Sequence, residues 1–416
     1  MNEIEKYWQN YKFLNNISRD KRIVLFGRSE DWIPKLLRKL NRDPYLICDS
    51  NKDLDETKFL NIKVIHKTKV LNKIKNIFFV ITSGNYRSII QELKLKGYKE
   101  QEDFICCPDF KDYAYLDKIR NLSGEILFTS SDHTNTKKIK KATRYSIRGG
   151  GIFSLKFDPL GSKIEKKVDG SFKQIIRVDK NRIASIDYYG KIFILSNKYK
   201  VIEKYNVGIS NLCGIDYISN KNTFILSNQT RDIIYFYDSK KKKIIDKIHF
   251  SSLSGEHKES FHHINDLFYH KENLYVTFFS ESGSWKEGLY DGGIAKVSLK
   301  TKKVYIIEKG FFQPHSPTII DGEIAFVDSG NKKLILGPHR KNFQFNGFIR
   351  GMKENSGYIF LGQSETMYLT RMIVKGDLIN ISSGIHIIDY DYNARRFVGT
   401  PGITNIHDLL PINIKL

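Results

Sequence analysis

Side chains able to do acid–base, metal or anion chemistry recur in short segments that open apolar runs in the second half of the chain. They are Cys213 in LCGIDYI, and His262, His263, Asn265 and Asp266 in HHINDLFY. His315 follows in PHSPTII and Arg350 in IRGMKEN, with Asn405, His407 and Asp408 in ITNIHDLLPI. Imidazoles and carboxylates that converge can hold a divalent metal through nitrogen and oxygen. They can equally act as general acid and base beside a guanidinium that grips an anion. His263, His315 and His407 are therefore expected as acid–base groups or as ligands of a divalent metal. Asp266 is expected to orient or ligate, and Arg350 to hold a carboxylate or phosphate. His262, Asn265, Asn405 and Asp408, with Asp132 and His133 nearby, are expected to contact substrate. A bland reading stands beside this one: PHSP is also a turn, and a His and an Asp four residues apart can simply satisfy buried backbone. No G-x-S-x-G elbow, CxxC pair, HExxH or P-loop is present.

The elements that must position these residues are short and repeated. From Glu125 onward helical periodicity fades, and β-branched and aromatic runs alternate with Gly, Asn, Asp and Lys turns. Openings near Phe172, Leu212, His262, Pro314, Ile349 and Ile403 mark units of roughly 35 to 57 residues, the signature of a propeller. The unit beginning at Glu125–Ser130 lacks an opening strand, and Ile403–Ile412 supplies one. The expectation is an all-β six-bladed propeller over 122–416, closed by the C-terminal strand. In a propeller the first strand of each blade lines the axis, so the openings should meet at one channel mouth.

Residues 1–115 read differently, as a small Rossmann-like α/β domain. Arg22–Phe26, Tyr45–Cys48, Ile62–Ile65 and Ile77–Thr82 read as strands, with helices through Trp32–Leu40 and Tyr86–Lys96. The β-α-β-β-α-β order implies a parallel sheet. Of a dinucleotide fingerprint only Gly27 is present, and Glu30 and Asp31 would repel a pyrophosphate. NAD is not expected, and this domain is read as a docking or homo-oligomerisation module.

The chain has 68 Lys plus Arg against 46 Asp plus Glu, a net charge of +22. Those lysines are spread through both halves and no stacked aromatic and arginine motif accompanies them, so nucleic acid is not expected as a partner. No apolar stretch is long enough to span a membrane. The N-terminus is not a secretory signal, and four unevenly placed cysteines suit a reducing cytoplasm.

From Gly149 to Leu410 the sequence resembles a bacterial propeller family, domain-of-unknown-function family 4915. The matching pieces are GGGIFSL, CGI, HHINDL, LYVTFF, DGGI, PHSP, DSG, GFIRGM and GQS, in that order. Leu212 departs from the pattern, standing where a histidine is expected. The first domain is similar to those in front of many sugar acetyltransferases, glycosyltransferases and FkbM-type methyltransferases, on RIVLFG, YLICDSN, IKVI and VITSGNY. The first-domain relatives imply a surface-glycan or secondary-metabolite gene neighbourhood. The expectation drawn from that context is an enzyme acting on a sugar or sugar nucleotide in bacterial capsule, lipopolysaccharide or flagellar glycan synthesis. The expected activity is a lyase, epimerase or hydrolase at the channel mouth; the alternative is a non-catalytic scaffold that holds a glycan or a partner.

Overall fold

The computed structural model describes residues 6–132, 146–255, 259–337, 341–367, 379–391 and 393–415. The chain divides into two compact units, Met1–Arg120 and Asn121–Leu416. Among the described residues no helix is long and apolar enough to cross a membrane.

In the first unit, near-continuous apolar runs form strands buried on both faces, as parallel sheets require. These are β1 (Arg22–Phe26), β2 (Leu46–Asp49), β4 (Ile62–His66), β5 (Ile77–Ile81) and β6 (Phe104–Cys106), with β3 (Lys58–Phe59) a short, unburied edge strand. The sheet order is β3-β4-β2-β1-β5-β6, parallel throughout except for the two-residue edge strand β3. A helix over Tyr86–Leu95 buries Tyr86, Ile89, Ile90 and Leu93, the helical spacing read from sequence. β6 and a helix over Lys111–Asn121 are elements the sequence reading missed. β6 has only three residues, too few to establish a period. Asp49, at the end of β2, has both carboxylate oxygens engaged by backbone amides, accepting from Arg28 N in the turn after β1 at 2.7 Å and from Asn51 N at 2.8 Å.

The second unit is a six-bladed β-propeller built from four-stranded antiparallel sheets. Blade 1 comprises Ser123–Ser130, Gly151–Asp158 and Gly161–Asp169, with Asp408–Lys415 paired antiparallel to Ser123–Ser130 as its innermost strand. The innermost strands of blades 2 to 6 are Phe172–Arg177, Leu212–Ile218, Leu267–His270, Pro314–Ile320 and Phe348–Asn355. The physical logic runs outward from the axis. Middle strands such as Ile233–Asp238 are mostly apolar and wholly buried, pressed between neighbouring blades. Rim strands such as Val201–Asn206 alternate, with one face in water.

Polar side chains tie successive innermost strands together. Asp408 Oδ2 accepts from Ile175 N at 2.9 Å, joining blade 1 to blade 2. Gln174 Oε1 accepts from Ile215 N at 2.9 Å, and Asp216 Oδ2 from Tyr269 N at 2.7 Å. Asp266 Oδ2 accepts from Ser316 N at 2.9 Å, and Ser316 Oγ from Gly351 N at 2.8 Å. Arg350 Nε donates to Ile406 O at 2.9 Å, joining blade 6 to blade 1. Such bonds contribute about 0.5–3 kcal/mol each, more where a charge is involved, and they fix the blades azimuthally.

Candidate functional site

In four blades a β-bulge near the start of the inner strand helps to set which side chains reach the axis. The register slips between Phe172 and Ile175, Leu212 and Ile215, His315 and Thr318, and Arg350 and Met352. A bulge turns the local strand and re-aims one side chain. Hydroxyls on the second strands set the equivalence of the blades. Thr129 Oγ1 accepts from Asp408 N at 3.0 Å, Ser227 Oγ from Gly214 N at 2.7 Å, and Thr277 Oγ1 from Asp266 N at 3.1 Å. The residue before each of those amides therefore occupies one structural position: His407, Cys213 and Asn265. Lys173, His315 and Arg350 occupy it in the remaining blades. All six are buried, between 1% and 7% exposed.

Four of these six form a connected chain, His407, Cys213, Asn265 and His315. His407 Nε2 lies 3.9 Å from Cys213 Sγ, and blades 1 and 3, which carry them, are not neighbours, so the contact is made across the axis. Cys213 Sγ donates to Asn265 Oδ1, and Asn265 Nδ2 lies 2.8 Å from His315 Nε2. The directions follow from one fixed acceptor. His315 Nδ1 is 2.9 Å from the carbonyl oxygen of Gln313, which can only accept, so Nδ1 carries the hydrogen and Nε2 is the acceptor. Asn265 must then present its NH2 to His315 and its oxygen to the thiol.

Charge at this end is positive. Burial holds the His315 imidazole well below its usual range, reinforced by the Arg350 guanidinium. Burial likewise holds His263 down to about 3, with help from the ammonium groups of Lys173 and Lys286. Both imidazoles are thus neutral beside fixed cations. Arg350 Nη2 donates to Asn405 Oδ1, and Asn405 Nδ2 donates to Ser131 Oγ at 2.8 Å.

The other expected residues are placed as follows. His262 has both ring nitrogens engaged inside the protein, with Ser280 O at 2.9 Å and Ser251 Oγ at 2.8 Å. His263 stacks between Phe279 and Trp285, with ring centroids 4.4 and 4.5 Å away, and adopts left-handed backbone at φ +53°. Gln313 and Ser316, on either side of His315, are left-handed too. Asp266 and Asp408 serve as inter-blade braces, and burial with their mutual repulsion raises the carboxyl of Asp266 to about 6. Asp132 lies at the same end, bound to Thr404. His133 lies outside the described residues. The Phe279 ring touches both His263 and His315, and among the described residues no group of three or more His, Cys, Asp or Glu side chains is placed to hold one metal ion. Lys173 was not singled out in the sequence. Cys213 was noted among the openings and left out of the site set, although its place two residues into the LCGIDYI opening matches that of His315 in PHSPTII.

Residues 249–409 match the family described as "Domain of unknown function (DUF4915)". That stretch carries four of the six axial residues: Asn265, His315, Arg350 and His407. No curated protein matches the chain. Similar solved structures include a chain from the nidogen/laminin complex, at 11% identity over 70% of this chain and 99% of that one, TM-score 0.48. A protein of unknown function from Bacteroides caccae matches at 10% identity over 70% and 99%, TM-score 0.48. A calcium-binding protein, regucalcin, from Agrobacterium tumefaciens matches at 13% identity over 56% and 75%, TM-score 0.41. Likenesses at this level carry no activity to this chain.

Proposed function

We propose that the axial set is the active site of an enzyme modifying an anionic sugar or sugar nucleotide, of the kind used in bacterial surface-glycan synthesis. What supports this reading is one observation: each blade contributes one buried polar residue at one structural position, with the neutral imidazole of His315 among them and two cations. In that set Arg350 and Lys173 hold the carboxylate or phosphate. His407 and His315 move the proton, as lyase, epimerase or hydrolase chemistry requires. Asp266 acts through Ser316, fixing the bulge on which His315 stands. The test is to incubate the full-length protein with nucleotide sugars bearing carboxylate or phosphate groups and follow the ring protons by NMR. Turnover is expected, falling by at least ~100-fold in His407→Asn, which keeps a hydrogen-bonding side chain. Lys173→Met is expected to raise KM. Metal content after chelation separates proton transfer by side chains alone from metal-assisted chemistry on His263, His315 and His407.

The second reading, a non-catalytic scaffold of the same pathway, is favoured by the way these side chains bond one another. Binding of a nucleotide sugar with no consumption across the panel would establish it in place of the enzyme. We further propose that Asp408–Lys415 closes the ring of blades, and that the first unit is a Rossmann-like docking or oligomerisation module.

A further inference from the structure

The turn between the second and third strands of blade 2 carries two tyrosines that the reaction proposed above does not use. Phe172, where the innermost strand of this blade starts, pairs with Asp187, so Tyr188, Tyr189 and Gly190 lie at the same end as Lys173. Backbone bonds pin the turn to the segments leading into blades 2 and 3. Tyr188 N donates to Ser171 O at 2.9 Å, and Asn211 N donates to Tyr188 O at 3.1 Å. Asp187 Oδ1 accepts from Tyr189 N at 3.0 Å and from Lys191 N at 2.7 Å. Gly190 is left-handed at φ +87°, and a Cβ there would collide with Ile209 O, so the turn demands glycine. On this fixed frame Tyr189 is 62% exposed and Tyr188 38%. Their rings stand nearly perpendicular with centroids 5.7 Å apart, and the Lys173 ammonium lies 5.7 Å from the centre of the Tyr188 ring. The matching turns of blades 3 and 5, after Asn228 and Asp328, carry no aromatic residue. The tyrosines are therefore not what closes the turn.

We propose that Tyr189, braced by Tyr188, is the stacking face for the base of a nucleotide-linked substrate whose phosphate is taken by Lys173. The assignment rests on the reading of the axial set as a site for an anionic sugar or sugar nucleotide, and it narrows that choice to the nucleotide. Every base has a flat π face, and a tyrosine ring on a rigid turn meets it at small cost in conformational entropy. Tyr188 is engaged by Lys173 and by the neighbouring ring, which leaves Tyr189 as the open one. Running inward from the turn, the order is aromatic ring, ammonium and axial imidazoles. Base, phosphate and sugar follow one another in the same order in a nucleotide sugar.

Calorimetry on the full-length protein compares UDP, GDP, CDP and dTDP with inorganic pyrophosphate, which has the anion without a base, and with glucuronate, which has a sugar carboxylate alone. At least one nucleoside diphosphate is expected to bind ~10-fold or more tightly than pyrophosphate. Tyr189→Ala, at an exposed position, is expected to lose at least ~5-fold of that affinity, the lower end of base–aromatic stacking, and Tyr189→Phe to keep it. Lys173→Met is expected to weaken nucleotide and pyrophosphate together. Pyrophosphate or glucuronate binding as tightly as every nucleotide overturns the stacking assignment, and so does Tyr189→Ala binding nucleotide like wild type. Either of those results leaves the axial anion site standing. Absence of binding by all six compounds overturns both readings together.

Discussion

At the scale of single residues, burial controls the chemistry of this propeller more than sequence neighbours do. Asp266 is an acid whose ionised form is penalised by burial and by Asp408, so its carboxyl titrates near 6 when folded and near 4 when unfolded. The folded state therefore binds the proton more tightly. Its contribution is fully present below pH 4 and is lost as pH rises through 6, on the order of 3 kcal/mol. Asp266→Asn removes the term while keeping an oxygen for Ser316 N. Its stability relative to wild type is expected to improve between pH 4 and pH 7, measured by urea denaturation at both. A difference that does not move with pH would mean that Asp266 keeps an ordinary carboxyl. His263 and His386, both held down to about 3 by burial, act with the opposite sign. The unfolded chain protonates them first, so their contribution is lost as pH falls below 6.5.

At the scale of elements, the bulges and the residues beside them fix the site. Gly351 follows Arg350 at φ +71°, and a Cβ there would meet Asp408 Cα at 2.7 Å. Gly351→Ala is expected to cost about 2–4 kcal/mol, from left-handed strain and from pushing the innermost strand of blade 1 aside. A loss below 1 kcal/mol by thermal unfolding would show that the strands can part locally. Much of this level was legible in the sequence. The polar openings were recognised because they interrupt apolar runs, and His315, Arg350, Asn265 and His407 were all named from them. The inner strand of blade 1 begins at Asp408 rather than Ile403, so Asn405 and His407 sit on its approach segment. Lys173 escaped notice because SFKQIIRV reads as an ordinary strand with a lysine on its wet face, and only the bulge after Phe172 turns that lysine inward.

At the scale of the whole molecule, the six innermost strands depend on one another through the chain of braces from Asp408 to Arg350. Removing residues 408–416 deletes one strand, the Asp408 brace and the partner of Ser123–Ser130 together. If that pairing closes the ring, Tm should fall by on the order of 10 °C or more, as a single cooperative transition with all blades affected. A small loss, with the remaining transition unchanged, would show that closure lies elsewhere. Local sequence determined which stretches become strands, because apolar runs and turn residues act within a few positions of each other, and it determined the count of repeating units. It also determined that histidines and an arginine stand at strand starts. Only the tertiary structure decided which of these side chains meet. Membership of the axial set depends on bulge register and on contacts across the axis, such as His407 with Cys213, between residues nearly two hundred positions apart. It likewise gave His262 to the protein's own hydrogen bonds.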